Sequence, residues 1–119
     1  MKVLNIEDDA CKSSRIGRVL KPITGQNIDW KTNLEDGIKA IREASVTTPY
    51  DLIITDMYYP ETHGAPESQS GILLVDRALE AGWNIPRITS LQSLMSVCTD
   101  IIILVLCKPK YYDTIEHRK

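Results

Sequence analysis

The chain has 119 residues, 43% apolar and 25% charged, with 14 basic against 16 acidic side chains and a formal charge of -2. That length supports one hydrophobic core, so a single domain over residues 1–119 is expected, and the composition fits neither a disordered nor a fibrous chain. No long single-sign run offers nucleic acid a footprint. The acids after Ile6 come too early for a signal peptide, and the apolar run 101–106 falls far short of the roughly 20 residues that cross a bilayer.

A cytoplasmic location is therefore expected. Cys11, Cys98 and Cys107 form no CxxC pair, and an odd count at these spacings suits neither a disulfide framework nor a zinc site. Reduced thiols, mostly packed in the core, are expected.

Val3, Leu4, Asn5 and Ile6 read as a short buried strand that stops at Glu7, Asp8 and Asp9. The period then changes. Ile16, Val19, Leu20 and Ile23 recur at helical spacing, and Pro22 and Gly25 mark an end, which predicts a helix over about residues 10–22. Ile28 and Trp30 alternate in a second strand, and Leu34, Ile38 and Ile41 return to helical spacing behind Asn33 as N-cap.

Residues 50–56 form a third buried strand, which also ends on a carboxylate, Asp56. The stretch 59–70 is polar, punctuated by Pro and Gly, and longer than the usual connection of about two to six residues, so an exposed loop is expected there. His63 within it lacks a partner at ligand spacing and reads as solvated. Gly71 opens a third helix with Ile72, Leu73, Val75, Ala78 and Leu79 inward, closed by Gly82. Residues 85–90 read as a fourth strand, 91–97 as a short uncharged helix, 100–107 as a strongly apolar fifth strand, and 111–118 as a short last helix.

This alternation predicts parallel strands with crossovers and helices on both faces. In such sheets chemistry gathers beyond the carboxyl ends of the strands. If the first and third strands are neighbours, Glu7, Asp8 and Asp56 converge, and their mutual repulsion calls for a cation; oxygen ligands of this kind suit Mg²⁺. Lys108 ends the fifth strand and Thr89 or Ser90 the fourth. A carboxylate, a metal, a hydroxyl and an ammonium on one rim are the parts of metal-assisted phosphoryl transfer.

The runs Val3-Leu4-Asn5-Ile6-Glu7-Asp8-Asp9, Glu35-Asp36-Gly37, Asp51-Leu52-Ile53-Ile54-Thr55-Asp56-Met57-Tyr58-Tyr59-Pro60 and Cys107-Lys108-Pro109 resemble response-regulator receiver domains, over about the whole chain. The resemblance implies a doubly wound, flavodoxin-like sheet of five parallel strands in the order 2-1-3-4-5. It implies a signalling switch of a two-component system rather than a metabolic enzyme. Asp56 would accept a phosphoryl group from a histidine kinase, a phosphotransfer protein or a small phosphodonor. Asp8, Asp56 and the main-chain carbonyl of Tyr58 would ligate Mg²⁺, with Glu7 acting through water and Asp9 a bystander. Lys108, joined to Pro109 by a cis bond, would contact the acyl phosphate, and Thr89 (or Ser90) would follow it.

Several features depart from the family. Residues 59–70 look like an insertion, Val105 stands where receivers often carry a switching aromatic residue, and the chain is expected to be either a stand-alone receiver or a fragment cut before an effector domain. Tyr58 is bulky enough to shield the acyl phosphate from water, which implies slow self-dephosphorylation. The family's switching face, here 101–106 with Tyr111 and Tyr112, is a candidate for homodimerisation.

A second reading is a pseudo-receiver, the same fold serving as a constitutive interaction module. A haloacid-dehalogenase-like phosphatase is disfavoured, because Tyr58 stands where its acid/base Asp would be. A flavodoxin is disfavoured because Glu7, Asp8 and Asp9 would repel a flavin phosphate.

Overall fold

The computed structural model describes residues 2–25 and 28–83, and the backbone of 103–107. The elements in chain order are β1 (Val3–Ile6), α1 (Ala10–Thr24), β2 (Asp29–Lys31), α2 (Leu34–Ser45), β3 (Leu52–Asp56), β4 (Tyr59–Pro60), β5 (Glu67–Ser68), α3 (Ser70–Glu80) and β6 (Ile103–Cys107). The main sheet runs β2-β1-β3-β6, and β1 pairs in parallel with both β2 and β3. The chain leaves β1 to form β2 on one side and returns to form β3 on the other. That reversal makes the carboxyl ends of β1 and β3 a topological switch point.

Period-two alternation in β1 and β3 sends side chains to two cores. Val3 and Ile54 pack with Ile16 and Leu20 of α1 on one face. Leu4, Ile6 and Ile53 pack with Leu34 and Ala44 of α2 and with Leu74 and Ala78 of α3 on the other. Helices thus cover both faces, as the alternation of elements requires. Each fully buried Ile or Leu contributes about 1.5–3 kcal/mol, so these few side chains fix the layering.

The helix starts follow cap chemistry. Asp9 accepts the N–H groups of Cys11 and Lys12 at 2.8 and 3.3 Å, so the residue expected to be a bystander is the N-cap of α1. The helix continues through Pro22 to Thr24 before Gly25 closes it at φ 71° with its N–H on the Lys21 carbonyl. Asn33 caps α2 as expected: its Oδ1 accepts the Asp36 N–H and its Nδ2 donates to the Asp36 carboxylate, both at 2.9 Å.

Three local expectations are corrected. The stretch 59–70 holds a small antiparallel hairpin, β4 with β5, in which Tyr59 is fully buried, while residues 61–64 between the two strands are exposed as expected; Ser70, which opens α3, is also fully buried. Ser70 Oγ donates to the Tyr59 carbonyl at 2.5 Å, and the Glu61 carbonyl accepts the Glu35 N–H at 2.9 Å, tying the hairpin to the start of α2. In α3, Ile72, Leu73 and Leu79 are exposed, while Leu74 and Ala78 face the core with Val75 packed beside them. Cys11 is exposed on the first turn of α1, not packed.

The largest departure concerns the last strand. Residues 103–107 run antiparallel to β3, Asp56 pairing with Ile103 and Leu52 with Cys107, where the sequence led us to expect a parallel strand separated from β3 by another. A near-continuous apolar run is the usual pattern of a buried parallel strand, and 103–107 carries that pattern while running antiparallel, so composition gave no mark of its direction. The fourth strand at 85–90, the helices at 91–97 and 111–118, and Cys98 lie outside the described residues. Among the described residues, no helix is long and apolar enough to cross a membrane.

Candidate functional site

Parallel pairing of Ile6 with Thr55 brings the residues that follow β1 beside the last residue of β3. One carboxylate oxygen from each of Glu7, Asp8 and Asp56 lies within 4.8 Å of the others. Glu7 is 1% exposed and Asp56 7%, whereas Asp8 is exposed to solvent. The expected convergence of the three acids is thus present.

Their partners differ. Asp56 Oδ1 accepts the Met57 N–H at 2.7 Å, and Oδ2 lies 3.7 Å from the Lys12 ammonium. Glu7 Oε1 accepts the Asp9 N–H at 3.0 Å, but Glu7 Oε2 is buried with no hydrogen-bond partner. Burial pushes the Glu7 carboxyl up to about 8; the Asp9 amide opposes this and the charge of Asp56 adds to it. Glu7, Asp8 and Asp56 thus form an acidic cluster with the spacing to hold a cation, and one buried Glu7 oxygen within it has no partner.

Neighbouring groups fix this rim in place. The Trp30 indole N–H donates to the Glu7 carbonyl at 2.6 Å, although Trp30 is 43% exposed on β2. Beneath Asp56, Tyr59 O–H donates to Thr55 Oγ1 and Thr55 O–H donates to the Asp56 carbonyl, both at 2.9 Å. Burial raises the Tyr59 phenol to about 12, with Thr55 opposing and Asp56 and Glu7 adding, so the chain of hydroxyls stays protonated.

Gly71 matters for a different reason. A Cβ there would overlap the Asp56 carbonyl oxygen and come within 2.8 Å of Met57 Cα. Its N–H meets the Met57 carbonyl at 3.0 Å. Only glycine lets the start of α3 rest on the backbone that carries Asp56.

Of the site residues expected from sequence, Glu7, Asp8 and Asp56 come together. Tyr58 follows them with its side chain 45% exposed, and His63 is exposed as expected. Thr89, Ser90, Lys108 and the bond to Pro109 lie outside the described residues. Cys107, the residue before Lys108, pairs with Leu52 at the far end of β3 from Asp56. Sequence reasoning passed over Lys12 and Trp30. Lys12 carries a signal all the same, since it sits three residues after the N-cap, where a capping box would place Glu or Gln.

No protein-family model matches the chain, and neither curated proteins nor solved structures return a match.

Proposed function

We propose that this chain is a phosphoacceptor receiver domain of a two-component system, with Asp56 as the acceptor. The observation that carries the reading is the convergence of Glu7, Asp8 and Asp56 at the switch point of the sheet, with Glu7 Oε2 buried and unpartnered. The Met57 amide holds Asp56 Oδ1, which leaves Oδ2 as the oxygen available to attack phosphorus. Attack at Oδ2 forms the acyl phosphate while the donor's bond to phosphorus breaks and its electron pair departs with the leaving group.

The residues present fit a hard divalent cation, because the bare Glu7 oxygen and the neighbouring carboxylates need positive charge. Asp8, Asp56 and the Tyr58 carbonyl would hold Mg²⁺, with Glu7 reaching it through water. When bound, the ion neutralises the carboxylates and the phosphoryl oxygens. The reading keeps Thr89 or Ser90 as the responding hydroxyl but does not rely on Lys108, because Cys107 before it pairs with Leu52 at the far end of β3 from Asp56. It also carries the five-stranded order 2-1-3-4-5, which the order β2-β1-β3 supports and the antiparallel β6 departs from.

The partners on this reading are a histidine kinase or phosphotransfer protein upstream, and a second copy of the chain through the face that includes 101–106. The deciding experiment is incubation with acetyl phosphate and Mg²⁺, read by intact mass. Wild type should gain one phosphoryl group and Asp56→Asn none. An unlabelled wild type, under conditions that label an ordinary receiver, would leave the pseudo-receiver reading in its place.

A further inference from the structure

The first turn of α1 holds a residue that helix physics does not explain. Asp9 is the N-cap, so Lys12 occupies the third position of the helix, and the first turn contains no acid. A cation there opposes the helix dipole, whose N-terminal end favours negative charge by about 0.3–1 kcal/mol. Lys12 instead reaches across the rim to Asp56, its ammonium 3.7 Å from Oδ2 with the side chain 38% exposed.

The contact falls on a particular oxygen. Asp56 Oδ1 is taken by the Met57 amide, so Lys12 faces the oxygen that remains free to react. A separation of 3.7 Å exceeds the roughly 2.7–3.2 Å of a hydrogen bond. The ammonium is therefore beside Oδ2 without being bonded to it, within reach of oxygens carried on an incoming phosphorus.

We infer that Lys12 supplies the counter-charge for the phosphoryl group on Asp56, a role the sequence pattern had given to Lys108. The inference rests on the receiver reading. In the step with acetyl phosphate, the Oδ2–P bond forms as the P–O bond to acetate breaks. Acetate leaves with the electron pair, no proton moves, and the Lys12 ammonium keeps all its hydrogens while balancing the phosphoryl oxygens.

The same position gives Lys12 a second, opposite effect. Its charge repels a divalent cation entering the carboxylate cluster, so removing it should tighten Mg²⁺ binding while slowing phosphorylation. A purely structural side chain would not split the two measurements in this way.

The test uses the full chain as wild type, Lys12→Met, Lys12→Arg and Asp56→Asn, with circular dichroism to verify the fold. Phosphorylation by acetyl phosphate at saturating Mg²⁺ is followed by intact mass, and Mg²⁺ affinity by Trp fluorescence, Trp30 being bonded to the Glu7 carbonyl. The expected result is labelling slowed about tenfold or more in Lys12→Met and partly restored in Lys12→Arg, with Mg²⁺ bound about threefold more tightly in Lys12→Met. Labelling of Lys12→Met within about twofold of wild type would overturn the inference and leave the receiver reading standing. Labelling and Mg²⁺ affinity both weakened, without rescue by Arg, would reduce Lys12 to a structural role and also overturn it. A wild type that takes no phosphate fails the receiver reading itself, and the assignment of Lys12 falls with it.

Discussion

The two ends of β3 both carry carboxylates, yet they are built differently. At the amino end, Asp51 Oδ2 accepts the Lys2 main-chain N–H at 2.8 Å, and Asp29 accepts the Tyr50 O–H at 2.7 Å. The Lys2 ammonium donates to the Thr48 carbonyl at 2.7 Å and sits 4.8 Å from the centre of the Tyr50 ring. At the carboxyl end, three acids crowd together and one buried oxygen has nothing to accept. Carboxylates with matched donors fasten a strand, whereas carboxylates left short of positive charge are poised to take up a cation or react. Position at a strand end is common to both, and only the partners separate them.

The largest thermodynamic effect should come from breaking this contrast at Glu7. Its carboxyl is raised from 4.5 to about 8, so the native state holds a proton that the unfolded chain releases. The associated stability is fully present below pH 4.5 and is lost as pH rises toward 8, at up to about 1.4 kcal/mol per pH unit. Urea denaturation across this range, without divalent cations, should show that decline. Glu7→Gln should flatten the profile, and saturating Mg²⁺ should flatten it in wild type. A wild-type profile already flat without metal would mean that the two ends do not differ in the way described.

Next in size is Gly71→Ala, which sets a methyl group against the backbone at Asp56 and Met57. A loss of about 3 kcal/mol is expected, at the upper end for overpacking, because backbone cannot yield as a side chain can. Gly37→Ala meets only the Ile6 side chain, with the nearest atom at 2.5 Å, and should cost about 1 kcal/mol. Equal losses in thermal melts of the two variants would show that the carboxyl end is no more tightly fixed than the α2 face.

At the amino end, Tyr50→Phe removes the hydrogen bond to Asp29 and should cost about 1 kcal/mol, and on the proposed receiver reading it should leave the rate of phosphorylation at Asp56 unchanged. A changed rate would couple the two ends. The smallest effect on stability, within about 0.5 kcal/mol, is expected for Tyr58→Asn, since that side chain is half exposed. There the measurement is the lifetime of the phosphorylated form that the proposed receiver reading requires, which should shorten.

Much of this was legible in the sequence because it depends on local chemistry. The caps Asn33 and Gly25 and the strand ends at Glu7 and Asp56 are read from residue type and spacing. The face of α3 was not legible, because Ile72, Leu73, Leu74 and Val75 form an unbroken apolar run with no unique stripe. Its rotation is set by Gly71 resting on the backbone of β3. The hairpin at 59–70 was missed for a related reason. Pro and Gly punctuate loops and hairpins alike, and the burial of Tyr59 depends on a Thr55 hydroxyl outside the segment.

The sequence alone determined which residues could form a reactive rim, since alternating elements ending in acids leave those acids at strand ends whatever the wider packing. Tertiary structure decided what surrounds them. It directed β6 antiparallel to β3, where an apolar run is blind to direction, and it brought Lys12 from the first turn of α1 to Asp56 across a distance in sequence that no local pattern encodes.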